Sequence, residues 1–131
     1  MYLKIIDKVR TNNFNDEHMI KKIAAMWKNA SAVLSNENSN VYGLYYEYES
    51  NYQRDYTLGV AVEGKDEPAI HIPENTNYEI FSVDRNDEKG IYNTWNEIWK
   101  KEKNNQLKRA YTYDFEKYDA DGRVEIYIAV L

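Results

Sequence analysis

The two halves of this 131-residue sequence carry the same order of predicted secondary structure. In each half, the hydrophobic pattern indicates a strand, then an amphipathic helix, then two further strands. An offset of 68 residues superposes Trp27 on Trp95 and Tyr45 on Tyr113, and it also aligns alternating apolar residues in the last strand of each half. Because these matches agree with the element order, the sequence predicts a duplicated β-α-β-β unit.

The predicted fold class is α+β, in one domain spanning residues 1–131 with pseudo-repeats at roughly 1–64 and 69–131. Two such units would form a curved antiparallel sheet with two helices and a groove at their pseudo-twofold junction. The predicted elements are strands at 2–10, 41–49, 55–63, within 69–83, 110–118 and 123–131, and helices at 16–34 and 88–104. The polar stretch 35–40 ends the first helix, and Asp121-Gly122 has the composition of a hairpin turn.

Composition excludes several functional classes. The chain has no cysteine, which removes disulfides, cysteine-based zinc sites and thiol catalysis. A net charge of −5 argues against nucleic acid as a direct partner. A run long enough to span a membrane is missing, so a cytoplasmic protein without membrane association is expected. The histidines lack metal-ligand spacing and no phosphate-binding loop is present, so no cofactor is predicted.

A basic patch follows the second predicted helix. Its members are Lys100, Lys101, Lys103, Lys108 and Arg109. Positive charge is favourable near the carboxyl end of a helix, so we interpret the patch as a solvated helix terminus.

Tyrosine is unusually abundant, with thirteen copies in the chain. A tyrosine offers an apolar, electron-rich face and a single hydroxyl, so a concentration of tyrosines is typical of a wall for flat or cationic ligands. None of the common catalytic nucleophiles is indicated. The sequence therefore indicates a ligand-binding pocket more strongly than it indicates a catalytic site.

Glu116 is the strongest candidate within that pocket, because glutamate is depleted in strands and this one lies inside the predicted strand 110–118. In an aromatic groove its carboxylate would attract an organic cation. The alternative is an exposed glutamate that pairs with Lys117 or Arg123. Strand alternation places Tyr118 on the same face as Glu116. The residue opposite Glu116 is Tyr127, or Ile126 if the register shifts by one.

Four further aromatic residues are candidate wall residues. Trp95 and Trp99 lie one turn apart on the second helix, where a core position and a pocket position are compatible. By the 68-residue offset, Tyr46 and Tyr48 match Asp114 and Glu116 and could form the opposite wall. A half-exposed aromatic strand face remains the alternative for these two tyrosines.

Four segments together resemble a known family: they are 41–48, 91–99, 114–118 and 124–130. In order and spacing they are similar to the GyrI-like effector-binding domains, most closely to the stand-alone, integron-associated effector-binding proteins. The resemblance implies a duplicated β-α-β-β fold and a cavity for hydrophobic, often cationic, drug-like molecules. It implies Glu116 as the central glutamate and Trp95 as the helix tryptophan, with Tyr48, Tyr78 and Tyr127 as further pocket aromatics.

The resemblance also implies two alternatives to simple binding. Some relatives resemble small hydrolases of electrophilic toxins, in which Glu116 with Tyr118 or Tyr127 would supply acid-base groups. Others are protein-inhibiting modules that act through a surface on a partner protein. The sequence shows no helix-turn-helix segment, so we expect a free-standing binder of small molecules, with a protein partner unidentified and enzymatic activity the less favoured reading.

Overall fold

The computed structural model describes residues 1–34 and 40–131, and within them seven strands form a single antiparallel sheet. The elements are β1 (Tyr2–Thr11), α1 (Met19–Leu34), β2 (Val41–Tyr46), β3 (Tyr56–Glu63), β4 (Ala69–His71), β5 (Tyr78–Ser82), α2 (Gly90–Lys103), β6 (Asp114–Tyr118) and β7 (Val124–Ala129). Their order across the sheet is β4-β1-β3-β2-β6-β7-β5. The predicted α+β class, with two helices on an antiparallel sheet, is confirmed.

Two predicted strands differ clearly from the structure. The strand expected within 69–83 is two short strands, β4 and β5, and Pro73 lies in the segment between them. The strand expected at 110–118 begins only at Asp114, because Tyr111 has a φ of +56°, which is incompatible with an extended strand. The polar stretch predicted to end the first helix lies, except for Asn40, outside the described residues.

Both helices pack on the same face of the sheet. Helix α1 buries Met26 and Ala30 against Leu58 and Val60 of β3. Helix α2 places its buried face over β7 and β5; the members of this cluster are Phe81, Trp95, Ile98, Leu107, Ile126 and Ile128. Strands β2 and β6 pair with each other at the centre of the sheet, so a groove lies between the helices above these two strands.

The hairpin between β6 and β7 sets the register beside Glu116. The N–H of Gly122 donates to Asp119 O, and Gly122 has a φ of +83°, which makes a tight turn followed by a residue in the left-handed region. The additional loop residue moves the pairing by one position. Glu116 therefore lies opposite Ile126, and Tyr127 lies opposite Phe115 on the other face of the sheet.

The face of the sheet away from the helices is buried by a second cluster. Its members are Leu3, Ile5, Tyr42, Leu44, Tyr46, Ala61, Ile72 and Phe115, with Tyr78, Tyr113 and Tyr127 packed against them. Tyr127 stacks on Phe115 with ring centroids 4.6 Å apart. Many of the tyrosines are thus ordinary packing residues of a sheet that is buried on both faces.

In the described part of the chain, neither helix is long and apolar enough to cross a membrane.

Candidate functional site

A cavity of about 640 Å³ occupies the groove between the two helices. Strands β2 and β6 form its floor, α2 forms one wall, and the beginning of α1 with the loops that follow β1 and β2 forms the other. The lining residues are Asn13, Phe14, Met19, Ile23, Tyr45, Tyr48, Tyr52, Tyr56, Glu88, Lys89, Ile91, Tyr92, Trp95, Asn96, Trp99, Arg109 and Glu116. This size lies within the range of cavities that hold drug-sized molecules, roughly 300–1,000 Å³.

Glu116 lies at the floor of the cavity and is only 5% exposed. One carboxylate oxygen, Oε2, accepts a hydrogen bond from the Trp95 indole N–H at 2.7 Å and another from the Tyr45 hydroxyl at 2.8 Å. The other oxygen, Oε1, accepts from the Tyr118 hydroxyl at 2.6 Å. All three donors are neutral. Within the described residues, no cationic side chain lies within ion-pair distance of this carboxylate.

The tyrosines around Glu116 hold their protons strongly. Burial raises the pKa of Tyr45 well above its ordinary value, and the nearby Glu116 carboxylate raises it further. Burial and the same carboxylate raise the pKa of Tyr118 and of Tyr56. These hydroxyls therefore stay protonated at neutral pH; those of Tyr45 and Tyr118 donate to the Glu116 carboxylate, and that of Tyr56 donates to Asn13 Oδ1.

Aromatic rings line the rest of the floor. The Tyr45 ring lies 5.0 Å from the ring of Trp95 and 5.5 Å from that of Tyr56. Tyr48 lies 6.4 Å from Tyr56. Aromatic faces carry negative electrostatic potential, so this arrangement favours a positively charged group above it.

A second aromatic group lies at the mouth of the cavity and joins its two walls. Tyr52, from the loop after β2, stacks on Trp99 of α2 with centroids 5.9 Å apart and planes inclined by 18°. Phe14, from the loop after β1, contacts both rings and is itself 55% exposed. Asn12 ties the two loops together, because its side chain donates to Gln53 O and to Asp55 Oδ1.

Arg109 forms a buried ion pair at the edge of the cavity. Its Nη2 donates to Asp114 Oδ2 at 2.8 Å, and the two side chains are 1% and 0% exposed. The same Asp114 oxygen accepts from the Tyr48 hydroxyl, and its other oxygen accepts from the Ala129 N–H. Glu102 lies 3.6 Å from Arg109 Nη1. The pair therefore connects helix α2, strands β6 and β7, and Tyr48.

The sequence profile of the Cass2 family, described as integron-associated effector binding proteins, matches residues 6–130. The chain belongs to this family. Among solved structures, it is similar to an integron cassette protein from the mobile metagenome of Vibrio cholerae, at 29% identity and a TM-score of 0.77. That match covers 100% of this chain and 90% of the other. No curated protein sequence matches the chain.

In a member of an effector-binding family, residues that line a large cavity are candidate ligand contacts. Of the predicted site residues, Glu116, Trp95, Trp99 and Tyr48 line the cavity. Tyr118 lies behind Glu116, donates to its carboxylate and packs edge-on against Trp27. The structure therefore brings five of the eight predicted residues to one place.

The other three predicted residues lie on the opposite face of the sheet. Tyr46 packs against Tyr113, while Tyr78 and Tyr127 pack around Phe115. Tyr78 and Tyr127 border a smaller cavity of about 240 Å³ on that face. The prediction that Tyr46 and Tyr48 form one wall fails for Tyr46, because Glu47 has a φ of +51° and breaks the strand alternation after β2.

Several lining residues were not predicted from the sequence. Tyr45 and Tyr56 come from strands already predicted, and alternation places Tyr45 on the face opposite Tyr46. The matching of Tyr45 to Tyr113 was misleading, because these two tyrosines belong to clusters on different faces. Arg109 was assigned to a solvated basic patch but is buried. Nothing in its sequence surroundings distinguishes it from the adjacent Lys108.

The described residues contain no group of acidic and histidine side chains placed to hold a metal ion.

Proposed function

We propose that this protein binds hydrophobic organic cations reversibly in the cavity between its helices, with the Glu116 carboxylate as counter-charge. The observation that carries this proposal is the state of Glu116, which is buried, faces an aromatic cavity and has hydrogen bonds only from neutral donors. Hydrogen bonds stabilise the charged form of a carboxylate without neutralising it. A bound cation would supply the missing positive charge.

The other ionised groups beside the cavity support the same sign of ligand charge. The described residues in or beside the cavity include four carboxylates, those of Glu88, Glu102, Asp114 and Glu116, and two cationic side chains, those of Lys89 and Arg109. Coulomb energies are several times larger in such a partly desolvated site than in water. Each aromatic face in contact with a cation adds about 0.5–2 kcal/mol. A hydrophobic cation therefore gains from both the charge and the rings.

The hydrogen bonds at Glu116 favour a counter-charge over an acid-base role. Three of the roughly four acceptor positions of the carboxylate already receive donors. Few lone pairs are left to take up a proton from a substrate, which suits attraction of a permanent cation better than removal of a proton. The hydrolase alternative stays testable, since turnover of an electrophile such as styrene oxide would contradict a purely binding role.

Titration with benzyltrimethylammonium, followed by tryptophan fluorescence, tests the proposal. Trp95 and Trp99 line the cavity, so their emission reports occupancy. We expect Glu116→Gln to weaken binding by at least about tenfold, because it removes the counter-charge while keeping the side-chain shape. Glu79→Gln is the matched control, since Glu79 is an exposed strand glutamate outside the cavity. Equal affinity for the parent and Glu116→Gln would contradict the counter-charge role.

A further inference from the structure

Two nitrogen atoms of the Arg109 guanidinium have no hydrogen-bond acceptor among the described residues. The Nη2 group is used by Asp114 and Tyr48, but Nε and Nη1 are buried without a partner. A small movement would let Glu102 Oε1 accept a hydrogen bond from Nη1, because this oxygen lies 3.6 Å from Nη1 and is itself without a partner. For Nε, none of the described residues supplies an acceptor within hydrogen-bond distance. Buried polar groups in proteins are nearly always hydrogen-bonded, so these donors require an explanation.

Arg109 and Glu116 are both neighbours of the Trp95 indole ring. The Trp95 N–H edge binds Glu116, and the Arg109 guanidinium carbon lies 5.9 Å from the Trp95 ring centroid. Both charged side chains line the same cavity. A ligand lying along Trp95 with its cation at Glu116 therefore extends toward Arg109.

We propose that the ligand of this cavity carries a compact, neutral hydrogen-bond acceptor, such as a carbonyl oxygen, that pairs with the free Arg109 N–H groups. This proposal rests on the proposed function for the position of the cation and adds a second recognition point. The Arg109 donors should make two kinds of cation bind differently. A cation with a hydrogen-bond acceptor, separated from its charge by about the width of one aromatic ring, should bind more tightly than a cation whose remaining groups are all hydrocarbon.

The electrostatics of the site favour a neutral acceptor over a carboxylate. Arg109 is already paired with Asp114 and lies close to Glu102, and Glu116 accepts a hydrogen bond from the neighbouring Trp95. An additional anion would meet three carboxylates and only one guanidinium. A carbonyl oxygen accepts the hydrogen bond without that repulsion.

The aromatic rings around Arg109 restrict access to it. The guanidinium lies 4.3 Å from the Tyr111 ring centroid and 5.8 Å from that of Tyr48, and the side chain is 1% exposed. An acceptor therefore reaches Nε only after a movement of the side chains packed around the guanidinium. Tyr48 lines the cavity, which makes it the ring that a ligand contacts first.

A set of matched probes tests this recognition point on the intact protein. They are benzyltrimethylammonium ions carrying an acetyl, an isopropyl or a carboxylate group at ring position 3 or 4. Acetyl and isopropyl have nearly the same shape, but only acetyl is an acceptor. We expect the acetyl probe to bind about tenfold tighter than its isopropyl counterpart, and the carboxylate probe to bind more weakly than the acetyl probe.

The variant Arg109→Lys connects this preference to Arg109. Lysine can keep the charge beside Asp114, but it lacks the planar set of donors. The ratio of the isopropyl to the acetyl dissociation constant should fall from about ten to about one, and a general loss of affinity cancels in that ratio. Arg109→Met combined with Asp114→Asn removes the pair without leaving an isolated charge, and the same ratio is expected. An unchanged ratio in a folded variant overturns the proposal.

A direct measurement on the parent protein does not depend on any variant. In a ¹⁵N–¹H spectrum, the Arg109 Nε–H signal should shift when the acetyl probe binds and should shift much less with the isopropyl probe. An Nε–H signal that responds equally to both, or to neither, overturns the proposal. A signal already held by a bound water and unaffected by the acetyl probe has the same consequence.

A neutral probe separates the two proposals. 4-Methylacetophenone has the acceptor but no charge. If it binds in an Arg109-dependent way while none of the ammonium ions depends on Glu116, the Arg109 site stands and the proposed function fails. If the ammonium ions depend on Glu116 but show no acetyl preference, the proposed function stands and the Arg109 site fails.

Discussion

Gly43 lies directly opposite Glu116 on the neighbouring strand, and a Cβ atom at Gly43 would come within 3.1 Å of Glu116 Oε1. The same atom would lie 3.5 Å from the Trp27 ring. The absence of a side chain on β2 therefore provides the space in which the carboxylate accepts its hydrogen bond from Tyr118.

Gly43→Ala should weaken binding of benzyltrimethylammonium severalfold, because the carboxylate must move away from a contact tighter than most Cβ contacts. Gly59→Ala is a matched control, since Gly59 lies in the adjacent strand and its Cβ would meet nothing closer than 3.5 Å. Fluorescence titration and urea unfolding of both variants separate an effect on the site from an effect on stability. Equal affinities for the two variants would show that the position of the carboxylate does not depend on Gly43.

Asp114→Asn should lower the free energy of unfolding by about 3–5 kcal/mol, because it leaves the buried Arg109 charge without its partner. Asp121→Asn breaks an ion pair with Arg123 in which the Asp121 side chain is 80% exposed, and it should cost no more than about 1 kcal/mol. Urea unfolding monitored by circular dichroism measures both. A loss below about 1 kcal/mol for Asp114→Asn would contradict an important role of the buried pair in stability.

Alkaline pH should unfold this protein cooperatively. Burial and the nearby carboxylates raise the pKa values of Tyr45, Tyr48 and Tyr118 above the value of about 10 expected in the unfolded chain. The folded state thus holds these protons more tightly, so the stabilising contribution is complete below pH 10 and is lost as pH rises. The expected slope is about 1.4 kcal/mol per pH unit for each such tyrosine.

Urea unfolding at several pH values between 8 and 11, with tyrosinate absorbance at the same pH values, measures this loss. Absorbance in which all thirteen tyrosines titrate with a midpoint near pH 10 while the protein stays folded is the result that would contradict raised pKa values.

Trp99→Ala should weaken cation binding severalfold, because it removes the ring that stacks on Tyr52 and contacts Phe14 at the mouth of the cavity. Tyr127→Ala is an aromatic truncation on the opposite face of the sheet and should leave the affinity unchanged, although it lowers stability by removing the stack on Phe115. Isothermal titration calorimetry suits both variants, since one of them lacks a reporter tryptophan. A reduced affinity for Tyr127→Ala would instead support the position implied by the family resemblance.

The elements that could be predicted are those whose periodicity is long and regular. Helix α2 appeared with Trp95 and Trp99 one turn apart, and both line the cavity. Glu116 was recognisable because a glutamate inside a strand is unusual. Each of these predictions uses residues of a single segment. It therefore does not depend on which helices and strands pack against each other in the folded protein.

The failures arise where the backbone departs from strict alternation. A positive φ at Glu47 puts Tyr48 into the cavity and leaves Tyr46 behind the sheet, and a positive φ at Tyr111 brings that ring onto Arg109. The extra residue in the hairpin loop places Ile126, and not Tyr127, opposite Glu116. A one-residue change in any of these places moves a side chain to the other face.

The sequence by itself determined the order and type of the elements, the antiparallel sheet and the glutamate among aromatic residues, because periodicity and residue preference are local properties. The tertiary structure decided which aromatic rings share the cavity with Glu116, that Gly43 provides its space, and that Arg109 is buried beside Asp114. These features depend on strand register and on contacts between the two halves, where residues far apart in sequence meet, and hydrophobic periodicity carries no information about such pairings.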